Sequence, residues 1–123
     1  QKAIPYYEKA LEFDPNNFSV IQNLALLYLE TKQFDIASNF TNQQIDFYPS
    51  QPLLYLVNGT ANRYLNKLEL ATDYLMMGLD YIIDNKELQR DFYRELSTAY
   101  SLRGNIIESE AFTNKAIELE KTP

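Results

Sequence analysis

Apolar residues recur along this chain at spacings of three and four, with little glycine or proline to interrupt them. That is the period of an amphipathic helix, not the strict alternation of a half-buried strand. Asp14-Pro15-Asn16-Asn17 and Tyr48-Pro49-Ser50-Gln51-Pro52 punctuate the pattern. Each should end one helix, because proline disfavours helical geometry in the residue before it. Each can also begin the next, through an Asn or Ser cap and with Pro52 suited to a first helical turn. The pattern predicts an all-α chain of seven helices, at about 2 to 13, 18 to 31, 34 to 47, 52 to 65, 67 to 84, 87 to 103 and 105 to 120.

Pro15 and Pro49 lie 34 residues apart, and a spacing of that size calls for a repeat search. A unit beginning at Phe18 puts Ile21, Leu24, Ala25 and Tyr28 on its first helix, starts the stripe of its second at Ala37 and closes at Pro49. Residues 90–123 repeat this layout with Tyr93, Leu96, Ser97, Tyr100, Gly104, Ile106, Ser109 and Ala116. Between them, 52–89 carries Tyr55, Gly59 and Ala71 in corresponding places and has four extra residues near Asn85 to Gln89. Residues 1–17 match only the second half of a unit, through Ala3, Tyr7, Ala10 and Pro15.

Composition narrows the chemistry. The 123 residues are 46% hydrophobic and 23% charged and contain no Cys or His. A chain of this length buries roughly 65 to 70% of its unfolded surface and needs no covalent staple. Without Cys or His there is no disulfide, no zinc or iron-sulfur site, and no Cys-His or Ser-His-Asp machinery; only hard-cation oxygen sites and carboxylate chemistry stay open. Pairs such as Glu108 with Glu110, or Asp80 with Asp84, are spaced along a solvated helix with nothing convergent or desolvating beside them, so no catalytic, metal or cofactor site is expected. A net charge of -6 gives no basic footprint for nucleic acid, and no apolar run approaches the length of a membrane span. The sequons Asn39-Phe40-Thr41 and Asn58-Gly59-Thr60 both fall inside predicted helices.

The residues quoted above resemble the tetratricopeptide repeats. The shared pattern is a large residue, Leu, a small residue and an aromatic on helix A, then Ala, an aromatic, Ala and Pro on helix B. About three and a half units cover the chain. Departures fall at Thr41 and Gln44, and in the next unit at Asn58, Asn62 and Gly78, which also lacks the closing proline. The resemblance implies a right-handed α-solenoid of stacked antiparallel helix pairs. Ala25, Gly59 and Ser97 would lie where the paired helices approach closest, near Ala37, Ala71 and Ser109.

The resemblance further implies a protein-interaction scaffold, non-enzymatic, that receives a peptide or partner protein on its inner helix A surface. By register the second helix would line it with Ser19, Gln22, Asn23, Leu26 and Glu30. The fourth would supply Leu53, Leu56, Val57, Thr60, Arg63 and Tyr64, and the sixth Asp91, Arg94, Glu95, Thr98 and Ser101. Leu53, Leu56, Val57 and Tyr64 could form an anchor pocket, with Arg63 and Arg94 orienting an acidic residue. The competing reading has these apolar groups packing against neighbouring helices. One subclass of the family grips a C-terminal carboxylate with cations. Here the matching positions hold Gln22, Leu26, Val57, Asp91 and Glu95, so that clamp is not expected.

Asn58 and Asn62, four apart where Leu and an aromatic are usual, are either a bonded amide pair or a slot for a ligand group. Of the ten tyrosines, Tyr7, Tyr28, Tyr55, Tyr93 and Tyr100 fall on packing positions, and Tyr48, Tyr64 and Tyr81 are free for partners. The opening half-unit suggests a segment cut from a longer array. Its stripe of Ala3, Tyr7, Ala10 and Leu11 would be a face open to self-association, unless Ile4 or Tyr6 compensates. The alternative function is therefore a structural spacer or homo-oligomerisation module within a larger protein.

Overall fold

The computed structural model describes residues 2–121; Gln1 and Pro123, the two ends of the repeat register, lie outside them. The described residues form seven helices and no strand: α1 (Ala3–Phe13), α2 (Phe18–Glu30), α3 (Phe34–Phe47), α4 (Pro52–Tyr64), α5 (Leu68–Leu79), α6 (Lys86–Leu102) and α7 (Ile106–Lys121). Local chemistry sets their starts. Asn17 accepts from the Val20 N–H and Asn85 from the Leu88 N–H, while Pro52 opens α4.

The pairs α2/α3, α4/α5 and α6/α7 close through one recurring turn. Lys32, Asn66 and Gly104, each at the same place in its pair, take positive φ of 61°, 60° and 83°. The next N–H then reaches back five residues to a carbonyl: Gln33 to Tyr28, Lys67 to Asn62 and Asn105 to Tyr100, each 2.9 Å. This left-handed cap satisfies carbonyls that the end of helix A would otherwise leave open.

Consecutive helices pack, so the chain is a solenoid in which each element touches its neighbours. Among the described residues α2 also approaches α4, and α4 approaches α6, within 8 Å between Cα atoms, while α1, α3, α5 and α7 make no such approach to one another. Helices that touch lie on the inside of a curve and helices that fan apart lie outside. The surface of α2, α4 and α6 is therefore the concave one.

Small residues let the paired helices close. Ala25 and Ala37 are fully buried, and a Cβ on Gly59 would stand 2.5 Å from Leu75 Cγ and 3.2 Å from the Ala71 carbonyl oxygen. In the last pair Ser109 Oγ donates to the Ser97 carbonyl at 2.8 Å. Two apolar clusters fill the stack. One is built on Ile4, Leu24, Tyr28 and Val57; the other on Tyr55, Leu75, Phe92, Leu96 and Phe112.

Three expectations need correction. Helix α5 stops at Leu79, short of residue 84, and a connection with Asp84 at φ 48° leads to α6. Helix α6 keeps its expected length, 17 residues against 13 in α2 and α4, so the connection after α5 feeds one additional turn of helix. Phe92, which the repeat pattern passes over, is fully buried, and its ring fills the space beside Gly78 that any side chain there would occupy. The glycine at a position normally held by Ala is thus the complement of Phe92. The stripe expected to be open on α1 is also partly closed: Ile4 is buried, and Tyr7 and Leu11 pack against the first cluster. The exposed rings of α1 are Tyr6 and Phe13.

Candidate functional site

Two clefts meet on the concave surface. The first, about 300 Å³, is lined by Leu26 and Leu29 of α2, Leu56, Val57 and Thr60 of α4, and Asp91, Arg94 and Glu95 of α6. The second, about 480 Å³, is lined by Leu29, Glu30, Lys32, Phe34, Thr60 and Tyr64. Leu29 and Thr60 belong to both, so the clefts form one path from the α2/α3 turn to α6. Leucines one turn apart on α2 give this path its apolar wall, because residues three apart share a helix face.

The charges are arranged differently from the sequence expectation. Arg63 holds Glu95 with two hydrogen bonds, Nε to Oε2 at 2.7 Å and Nη2 to Oε1 at 3.0 Å. That bond raises the Arg63 pKa further above its ordinary value, against the lowering effect of burial. Arg63 is therefore committed to α6 and ties α4 to it; it does not point a free cation at a ligand. Its guanidinium also lies 4.2 Å from the centre of the Tyr64 ring. Arg94 pairs with Glu120 of α7. Asp91 is exposed and enters none of these pairs.

Of the proposed lining residues, the structure brings Leu26, Leu56, Thr60, Asp91, Arg94 and Glu95 to the first cleft and Glu30, Thr60 and Tyr64 to the second. Val57 is fully buried and belongs to the first core cluster. Because α2 and α4 pack directly together, this position is clamped between them and forms the floor of the cleft, not a surface for an anchor residue. Thr60 is nearly as buried. Gln22, Asn23 and Leu53 line neither cleft, and Thr98 lines a separate depression with Ser97, Thr113 and Ile117 at the α6/α7 end. Sequence reasoning missed Leu29, Lys32 and Phe34. Leu29 was accessible from its spacing to Leu26, while Phe34 enters from helix B, where a rule based on helix A does not look.

Among the tyrosines named as free, Tyr64 stacks on Phe34 with ring centres 4.5 Å apart and planes 5° from parallel. Tyr48 packs on Phe18 and donates to the Asn16 carbonyl at 3.3 Å, and Tyr81 stacks on Tyr55. The asparagine pair is internally bonded. Asn62 Nδ2 donates to Asn58 Oδ1 at 2.8 Å and to the Asn58 carbonyl at 3.0 Å. Asn58 Nδ2 donates to Thr41 Oγ1 at 3.0 Å and to the Ser38 carbonyl at 3.1 Å. Both amides are buried, and this bonding closes the slot a ligand group would have used.

A stack of helix pairs with a common left-handed turn, a small-residue approach and a concave helix A surface defines the tetratricopeptide class. The sequence model of the tetratricopeptide repeat matches residues 6–37 of the 123. Its structure is similar to MamA from Desulfovibrio magneticus RS-1, with a TM-score of 0.85 at 21% identity, covering 98% of this chain and 66% of that one. MamA structures labelled AMB-1 and MSR-1 match with TM-scores of 0.82 and 0.79, at 22% and 21% identity, each over 98% of this chain and 69% and 67% of theirs. The likeness at this identity is one of fold. The chain spans about two thirds of the length of the first MamA chain it matches. No curated protein sequence matches it. Among the described residues no helix is long and apolar enough to cross a membrane.

Proposed function

We propose that this chain works by binding and not by catalysis, taking an extended peptide or a partner helix along the concave path of α2, α4 and α6. The observation that carries this reading is the joining of two apolar clefts through Leu29 and Thr60. Leu26, Leu29 and Leu56 offer apolar contact, and Asp91, Glu30 and Lys32 supply polar groups at the two ends. The Arg63–Glu95 pair holds α4 and α6 in fixed relation, so the path is preformed and a ligand has little ordering left to do. Peptide-array capture tests it. Leu56→Asp and Arg94→Glu should each abolish capture of array-selected peptides while the far-ultraviolet circular dichroism stays that of the parent.

A second reading, self-association through α1, is favoured by Tyr6. At the equivalent place in the other pairs, Phe40 packs on Tyr28, Tyr74 on Tyr55, and Phe112 on Tyr93 and Tyr100, whereas Tyr6 is 71% exposed. Under that reading Tyr6→Ser lowers the sedimenting mass and leaves peptide capture unchanged. A parent chain that sediments as a monomer at high concentration excludes it.

A further inference from the structure

Phe13, Phe47 and Tyr81 stand 34 residues apart; Phe13 and Phe47 end the outer helices α1 and α3, and Tyr81 lies two residues beyond the end of α5. They are 96%, 76% and 42% exposed. Exposed aromatic rings recurring at one repeat position form a regular row, and exposed apolar surface of that kind marks contact sites.

The three positions share one edge of the solenoid. The Tyr48 hydroxyl donates to the Asn16 carbonyl at 3.3 Å, which ties the turn after α3 to the turn after α1. The Tyr55 hydroxyl donates to the Pro49 carbonyl at 2.6 Å, and the Tyr55 ring stacks on Tyr81 at 5.7 Å, which ties the end of α5 to the turn after α3. Side-chain contacts thus set these turns one after another.

Carboxylates flank the rings: Glu12 and Asp14 beside Phe13, Asp46 beside Phe47, Asp80 beside Tyr81. All four are exposed, and none belongs to an ion pair among the described residues. Helices α1, α3 and α5 have no basic residue in the last turn. A helix C-terminus carries the negative end of the backbone dipole and favours cations. Here acids and exposed rings stand there in three successive units, each choice locally unfavourable, and such departures mark functional surface. The row ends at α7, where Leu119 follows the aromatic positions and the flanking Glu118 and Glu120 pair with Lys121 and Arg94.

We infer that this edge binds a basic protein segment, with Lys or Arg side chains lying over the rings of Phe13, Phe47 and Tyr81 and their charge met by Glu12, Asp14, Asp46 and Asp80. A cation over an aromatic face is attracted by the ring's negative face, and an adjacent carboxylate adds a charge-assisted hydrogen bond. Repetition along the edge makes the contact multivalent, so modest single sites sum to useful affinity. This surface is separate from the concave path and does not depend on it.

The test is an NMR titration of the full 123-residue chain with a capped peptide of alternating Arg and Gly, and with its Glu counterpart, reading the aromatic ring and leucine methyl signals. Saturable shifts at Phe13, Phe47 and Tyr81 are expected with the Arg peptide only, weakening as salt rises. Phe47→Ser and Asp46→Asn, both at exposed positions, should each weaken binding about tenfold at most and several-fold at least. Leu56→Asp should leave it unchanged. Shifts confined to Leu26, Leu29 and Leu56, equal response to the Glu peptide, or silence of the three rings would overturn the inference. So would a dimer that Phe47→Ser dissociates, since a second copy would then be the occupant.

Discussion

Asn58 donates from Nδ2 to the hydroxyl of Thr41 at 3.0 Å, so two residues that break the repeat pattern on neighbouring helices are each other's partner. The Thr41 hydroxyl in turn donates to the Ala37 carbonyl at 2.8 Å, and Asn62 closes the set against Asn58. A fully satisfied polar network in a helix interface is tolerated; a half-satisfied one is not. Asn58→Leu should therefore cost roughly 1 to 3 kcal/mol, because it strips the buried Asn62 amide of its side-chain acceptor and the buried Thr41 hydroxyl of its donor. Thr41→Val, Asn58→Leu and Asn62→Leu together should cost less than the three single changes summed. Urea unfolding of the four variants checks both statements.

The three glycines should separate by mechanism. Gly59→Ala drives a methyl into Leu75 and toward the Ala71 carbonyl, and Gly78→Ala drives one into Tyr55 and Phe92. Each should destabilise by roughly 1 to 3 kcal/mol through overpacking. Gly104→Ala meets nothing within 4 Å but must hold φ at 83°, and should cost about 1 kcal/mol from backbone strain alone. The converse change, Lys32→Gly, relieves the same strain at φ 61° and should raise the thermal midpoint in a melting experiment.

Alkaline stability should be governed by two tyrosines. Tyr28 donates to Glu8 at 2.5 Å, and burial first, then that bond and the Glu8 charge, push its pKa well above the ordinary tyrosine value; burial likewise raises Tyr55. A raised pKa means that the folded state prefers the neutral phenol. The contribution is fully present below the unfolded pKa of about 10 and is lost as pH rises beyond it. Denaturation midpoints should hold up to that pH and then fall, and Tyr28→Phe should make the fall shallower. An unchanged slope in that variant would assign the effect elsewhere.

The helices and their pairing were legible because apolar spacing and the Pro-Asn and Pro-Ser turns are local signals. The bonded amides were legible too, since two Asn residues four apart on a buried face have few other fates. What escaped was relational. Phe92 reads as an extra apolar residue until Gly78, fourteen positions earlier, is seen to make room for it. Arg63 reads as a free cation until α6 brings Glu95 to it, and Val57 reads as groove surface until α2 closes over it. Such placements depend on how one helix pair leans on the next, which a single-unit pattern does not encode.

The concave path is the central claim, and methyl NMR of the leucines tests it most directly. On titration with an array-selected peptide, the methyl signals of Leu26, Leu29 and Leu56 should shift together and saturate with one affinity. Binding that leaves those three signals in place while moving the Tyr6 or Phe13 rings of α1 would contradict it.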